Sequence, residues 1–154
     1  MARKSNNHAL NAIADNINSD ILDNKLSKTI TYAAATTGAT GATTLCTVTG
    51  VVALSIIGVC TTNLVSAGGG TLEVGTAAST AGLIAQTTGT DLDANEIWHD
   101  ASPDASIELT SVISKNIVID DVIQTIATGA ISAGVITYYI MWAPISANGN
   151  VVIA

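Results

Sequence analysis

The stretch TLCTVTGVVALSIIGVCTT, residues 44–62, decides how the rest of the chain is read. Gly50 splits it into two runs, Thr44–Thr49 and Val51–Thr62, rich in Val, Ile and Thr. Such residues favour a pleated, half-buried strand, because a branched Cβ is restricted in a helix and packs well on a sheet. The longest apolar part, Val48 to Cys60, is too short and too interrupted by Thr, Gly and Ser to span a bilayer as a helix. Two buried strands joined at a glycine are therefore expected here.

Working outward, the same texture continues on both sides. Upstream, Thr29–Ala33 alternates Ile30 and Tyr32 with Thr, and Ala34–Ala42 is a glycine-containing loop. Downstream, Asn63–Gly70 ends in the turn Gly68-Gly69-Gly70, followed by short strands at Thr71–Gly75 and Leu83–Thr87. The small residues of Ala77–Ala85 could instead make a helical turn. Gly89–Asn95 reads as an acidic loop, and Glu96–His99 and Ser106–Thr110 flank the turn Ser102-Pro103-Asp104. Asn116–Ile119, Val122–Thr128, Gly134–Trp142 and Val151–Ile153 complete the series. Within it, VITYYIMW (Val135–Trp142) is apolar nearly throughout, as a central strand or one buried at an interface would be. Eight to ten closely spaced strands without intervening long helices predict a sandwich or barrel. The expected form is a mainly β, antiparallel, jelly-roll-like sandwich over residues 29–154, preceded by a short N-terminal α-helix.

Residues 1–28 differ in pattern. Leu10, Ile13, Ile17 and Ile21 recur at spacings of three and four, the stripe of an amphipathic helix. Ser5 or Asn6 can cap its start, and Lys25 and Lys28 suit its C-terminal dipole. A narrow stripe on a helix of about 20 residues is marginal alone in water. The arm is therefore expected to anchor on a neighbouring protein or to bundle with sister arms.

Composition narrows the functional classes. Of 154 residues, 48% are hydrophobic but only 3% aromatic, with no Phe, so the core must be built from aliphatic side chains and Thr methyls. Such a core is thin, and burying more surface against sister subunits would supplement it. A homo-oligomer is expected, with a trimer as first guess. Charged residues are 11%, less than half the usual share. The net charge of −7 is uneven: residues 1–28 carry +1 and residues 29–154 carry −8. That sign opposes duplex binding, which requires cations to displace counterions. No nucleic-acid or membrane partner is expected. The N-terminal residues show no apolar signal core, so synthesis in the cytoplasm is expected. Cys46 and Cys60 lie in apolar runs, where a buried reduced thiol is the simple reading.

The ionisable groups concentrate in TDLDANEIWHDASPD: Asp91, Asp93, Glu96, His99, Asp100 and Asp104. Asp91-x-Asp93-x-Asn95 begins like a calcium loop but has Glu96 where that loop needs Gly and Ser102 where it needs a bidentate Glu. A solvated acidic loop is the reading preferred, with no metal and no cofactor. His99 beside Asp100 has no nucleophile-elbow motif to serve, and Cys46 or Cys60 with His99 is no better supported, so no enzyme is expected. Neither Gly68-Gly69-Gly70 nor residues 36–44 carries the Lys of a phosphate loop. Trp98 and Trp142 are left as core or interface residues. A glycan- or receptor-binding module would use Trp98 beside Glu96 and Asp100.

The phrases TLCTVTGVVALSIIGVCTTNL, GGGTLEVGTAASTAGLIAQTTGTDLDANEIWHDASPDASIEL and YYIMWAPIS resemble small virion-associated proteins of tailed bacteriophages and prophages. The similarity covers about residues 29–154, and EIWHDASPD is its most recognisable part. The resemblance implies a structural component of the virion, assembled in the host bacterial cytoplasm. A capsid decoration (cement) protein holding to the major capsid protein is the first form, and a tail or head fibre or adaptor subunit is the alternative. It supplies no catalytic residues. Leu10, Ile13, Ile17, Ile21, Trp98 and Trp142 are the candidate interface residues.

Overall fold

The computed structural model describes residues 24–100 and 117–154. These contain ten strands: β1 (Lys25–Thr31), β2 (Gly41–Thr49), β3 (Val52–Val65), β4 (Thr71–Thr76), β5 (Ser79–Thr88), β6 (Ile97–Trp98), β7 (Ile117–Val118), β8 (Val122–Ala127), β9 (Ala133–Pro144) and β10 (Asn150–Ile153). They form two antiparallel sheets. In the first the order is β1-β9-β3, and the far edge of β3 is shared by β6 and β7. In the second the order is β10-β2-β8-β4-β5. The two sheets pack face to face as a β-sandwich.

The long β3–β9 pair is the spine of the first sheet, and it is the stretch on which the sequence turned. Period-two burial sorts its side chains. Val52, Leu54, Ile56 and Cys60 of β3 and Ile136, Tyr138 and Ile140 of β9 point into the sandwich. Directly paired residues share a face, so Ile56–Ile140 and Cys60–Ile136 meet side by side over the core. The second sheet answers with Leu72, Val74, Val122, Ile126 and Val151. Each such aliphatic side chain contributes about 1.5–3 kcal/mol on burial. With little aromatic surface to bury, the interior needs many of them.

Gly58 makes room for two of the large aromatics in the core, Trp98 and Tyr138. It lies opposite Tyr138 on one side and Trp98 on the other. A Cβ there would come within 3.3 Å of the Tyr138 ring and 3.5 Å of the Trp98 ring. The rings themselves meet at 6.4 Å between centroids, tilted by 58°. A different constraint acts at the end of β8. Thr128 has φ +66°, and Gly129 N donates to Ala127 O at 2.7 Å, which defines a strained three-residue turn. The Gly68–Gly70 turn abuts it, and a Cβ on Gly70 would sit 2.3 Å from Gly129 O, so no side chain fits there.

Several expectations are corrected in detail. β1 begins at Lys25, so residues 25–28, read as the end of a helical arm, are strand. Lys28 does not face a helix terminus: its Nζ donates to Thr44 O (2.9 Å) and Ala154 O (2.7 Å), tying β1 to the second sheet. The rest of the arm, with Leu10, Ile13, Ile17 and Ile21, lies outside the described residues. Ser79–Thr88 is a strand, not a helical turn, because Leu83 and Ile84 are drawn into the core. Asn63–Val65 extends β3 before the glycine turn begins. The acidic stretch opens with a single 3-10 turn, Gly89–Asp91, and the strand around Trp98 is only two residues long. Ser106–Thr110 lies outside the described residues.

Candidate functional site

The acidic segment is held by its own backbone. Asn95 takes φ +76°, and its N–H donates to Cys60 O at 2.8 Å, while Cys60 N donates back to Glu96 O at 2.9 Å. Glu96 Oε2 accepts from Asp93 N (2.9 Å), and Asn63 Oδ1 accepts from Ala94 N (2.9 Å). The Glu96 carboxylate thus caps the turn. Among the described residues no group of three or more His, Cys, Asp or Glu side chains is placed to hold a metal ion. Asp91 and Asp93 are exposed, and Asp104 lies outside the described residues. His99 is exposed, with Nδ1 2.7 Å from the carbonyl oxygen of Asp100.

The cysteines are free and buried. Burial pushes the Cys46 thiol up from its ordinary value to about 11. Burial also raises Cys60, whose Sγ donates to Thr62 O at 3.2 Å. Both are thiols rather than thiolates at neutral pH, so neither is primed as a nucleophile.

Trp98 is 7% exposed and belongs to the core beside Tyr138. It is therefore not displayed next to Glu96 and Asp100 as a stacking platform for a sugar. Trp142 is half-buried opposite Leu54 and packs against the rim of the core. Its buried Nε1 has no hydrogen-bond partner among the described residues.

Sequence reasoning did not find two features. The first is a polar trio inside the sandwich. Tyr32 and Tyr138 both donate to Gln124 Oε1, at 2.5 and 2.6 Å, across the gap between the sheets. Gln124 is fully buried, and its Nε2 has no partner among the described residues. Desolvation raises both tyrosine hydroxyls above their ordinary range, so they stay protonated donors. Gln124 alternates with Val122 and Ile126 on the inward face of β8, a position that reads in sequence as an ordinary polar interruption.

The second feature is the outward face of the first sheet. Cross-strand pairing places Ile57 beside Tyr139, Ser55 beside Met141, and Val59 between Thr137 and Ile97. Ala53 lies between Ala143 and Ile117. Ile97 is 59% exposed, Ile117 48% and Met141 42%. Among the described residues, the outward positions of β3, β6, β7 and β9 carry no charge. The β1 edge adds Ser27, Thr29 and Thr31, with Lys25 at the corner beside Met141. A signal for this face existed: VITYYIMW and VVALSIIGVC are apolar at odd and even positions alike, the pattern of strands covered on both sides.

Comparison with family models, with curated proteins and with solved structures finds no match for this chain. Among the described residues no helix is long and apolar enough to cross a membrane.

Proposed function

We propose that this chain is a non-enzymatic structural subunit of a virion, a capsid decoration protein that stabilises the head of a tailed phage by burying surface against neighbouring subunits. The observation that carries the reading is the strand order. If β6 and β7 count as one interrupted strand, the sheets run first-eighth-third-sixth and second-seventh-fourth-fifth, with β10 added beside β2. That order supports a jelly-roll reading, two interlocked Greek keys, an architecture used by viral capsid and lectin domains. Architecture alone does not fix function. The apolar outward face of the first sheet, uncovered among the described residues, favours the assembly use over the lectin use. With Trp98 in the core, the lectin use also lacks its aromatic anchor.

In this role the chain works by contact area. The major capsid protein is the proposed partner, the subunit is homo-oligomeric, and assembly takes place in the host cytoplasm. The test is quantitative mass spectrometry of purified virions of the phage that encodes the chain. A copy number comparable to the major capsid protein is expected. A handful of copies per particle would move the subunit to the tail or fibres, and absence from the particle would overturn the reading.

A further inference from the structure

We propose that the outward face of the first sheet is a self-association surface, where two copies of this chain stack sheet on sheet about a twofold axis. The inference deepens the assembly reading by naming the surface and its occupant. Three observations carry it.

The first is anatomy. Ile57, Val59, Ile97, Tyr139 and Met141 form an apolar centre interrupted only by Ser55 and Thr137 among the described residues, and Ser27, Thr29 and Thr31 of β1 form a polar border. An apolar centre within a polar rim is how a protein interface is built. Single exposed apolar side chains are ordinary on a surface, whereas a contiguous patch marks an interaction site.

The second is area. Four strand positions about 4.8 Å apart and nine residues at about 3.4 Å each give a face of roughly 600 Å². Two such faces bury on the order of 1,200 Å², the lower end of what stable specific interfaces bury. Sheets stacked in this way sit about 10 Å apart, the spacing within the sandwich itself.

The third is charge. The body carries −8, yet among the described residues this face is uncharged apart from Lys25 at its β1 corner. Two copies therefore meet here without like-charge conflict across the centre. A twofold axis parallel to the strands lays the β1 edge of each copy over the β6 edge of the other, so the two Lys25 charges lie at opposite edges of the pair. An axis across the strands would lay β1 over β1. The first arrangement keeps the cations apart. One self-complementary patch produces a closed pair. A trimer, the first guess from sequence, needs a second patch complementary to this one.

The test is light scattering on the full chain at micromolar concentration, with the circular dichroism melt as a check of folding. Wild type is expected at twice the mass of one chain. Ile57→Lys, at the centre, and Ile97→Lys, at the edge, are expected at the mass of one chain with the β spectrum kept. Thr47→Lys, on the outward face of the second sheet, is expected to remain paired. If Ile57→Lys fails to fold, Ile97→Lys carries the test, because β6 is a two-residue edge strand. A wild type with the mass of one chain would overturn the inference and leave the face to another part of the chain or to a different protein. A pair or trimer that survives both substitutions would overturn the surface while leaving self-association intact. Absence from virions would remove the proposed function without touching the pairing.

Discussion

The two outward faces of the sandwich meet the same structural demand with different residues. On the second sheet, the outward positions hold Thr44, Thr47, Thr49, Thr71, Glu73 and Thr125, with Ile123 and Val152 as apolar exceptions. On the first sheet Ile57, Val59, Ile97, Tyr139 and Met141 cluster around Ser55 and Thr137. Threonine is as good a strand former as valine or isoleucine, since all three carry a branched Cβ. Strand formation therefore does not require isoleucine on an outward face, and the second sheet manages largely without it. What differs between the faces is the cost of leaving them in water. Exposed threonines such as Thr47 and Thr49 satisfy solvent through their hydroxyls, whereas an aliphatic face gains only when something covers it. Under the proposed pairing, the first-sheet face is the one that the second copy covers.

The largest expected effect tests whether inward and outward positions on one strand differ as claimed. Ile140→Ala removes a fully buried side chain from the centre of β9, and a loss of about 3 kcal/mol in urea denaturation is expected. Its outward neighbour, Tyr139→Ser, is expected to cost about 1 kcal/mol or less when measured in the Ile97→Lys background, where pairing does not enter. Equal losses would mean that the outward face already carries the stability of a single chain, and the contrast would collapse.

The next effect tests whether the interior is dry. Cys46 is raised from an ordinary value of 9.0 to about 11 by burial. A raised acid favours the fold while neutral. Its contribution is whole below the unfolded value and is lost as pH climbs from about 9 through about 11. Two units at about 1.4 kcal/mol each predict a loss of roughly 2–3 kcal/mol. Tyr32 and Tyr138, also raised by burial, add to the decline above their ordinary value of 10.0. Stability should be flat through neutral pH and fall in the alkaline limb, and Cys46→Ala should flatten the part between pH 9 and 11. An unchanged slope in that variant would mean water reaches the thiol.

Much of the strand pattern was legible because it is local. The nearly continuous β-branched and apolar runs at Val51–Thr62 and Val135–Trp142 mark β3 and β9, and the glycine at 50 and the triple glycine at 68–70 are turns. Strand order was not legible, because it depends on pairings such as Ile56–Ile140, separated by more than half the chain. The end of the arm was misplaced for a related reason. Lys25 and Lys28 read equally well as dipole partners or as strand residues until β9 is known to lie beside them. Trp98 sits in an acidic phrase that looks solvated, and only the gap left by Gly58 shows that its ring turns inward. The apolar outward face was half visible: the double-sided apolar runs signalled cover on both sides, but not that both belong to adjacent strands of one sheet.

A smaller effect concerns how the two sheets are held in register. Gln124→Leu leaves the Tyr32 and Tyr138 hydroxyls without their acceptor and is expected to cost about 1–2 kcal/mol. Removing both hydroxyls as well, with Tyr32→Phe and Tyr138→Phe, should restore most of that loss, because no polar group is then left unpaired. If the triple variant stays as unstable as the single one, shape rather than hydrogen bonding sets the junction, and the apolar and polar faces are coupled through packing alone.

The smallest effect bears most directly on why the second sheet is faced with threonine. Thr125 lies outward on β8 beside Glu73 and Ala42, yet its Oγ1 is buried and has no hydrogen-bond partner among the described residues. An unpaired buried hydroxyl is a net cost, and valine has nearly the same shape without it. Thr125→Val should therefore raise stability by up to about 1 kcal/mol, read as a higher denaturation midpoint at constant slope. The mass in solution should not change. A gain in stability with no change in association would show that threonine at this position does not maximise the stability of the fold. A loss would instead mean that the Thr125 hydroxyl has a partner, and the threonine face would be explained by hydrogen bonding within the subunit.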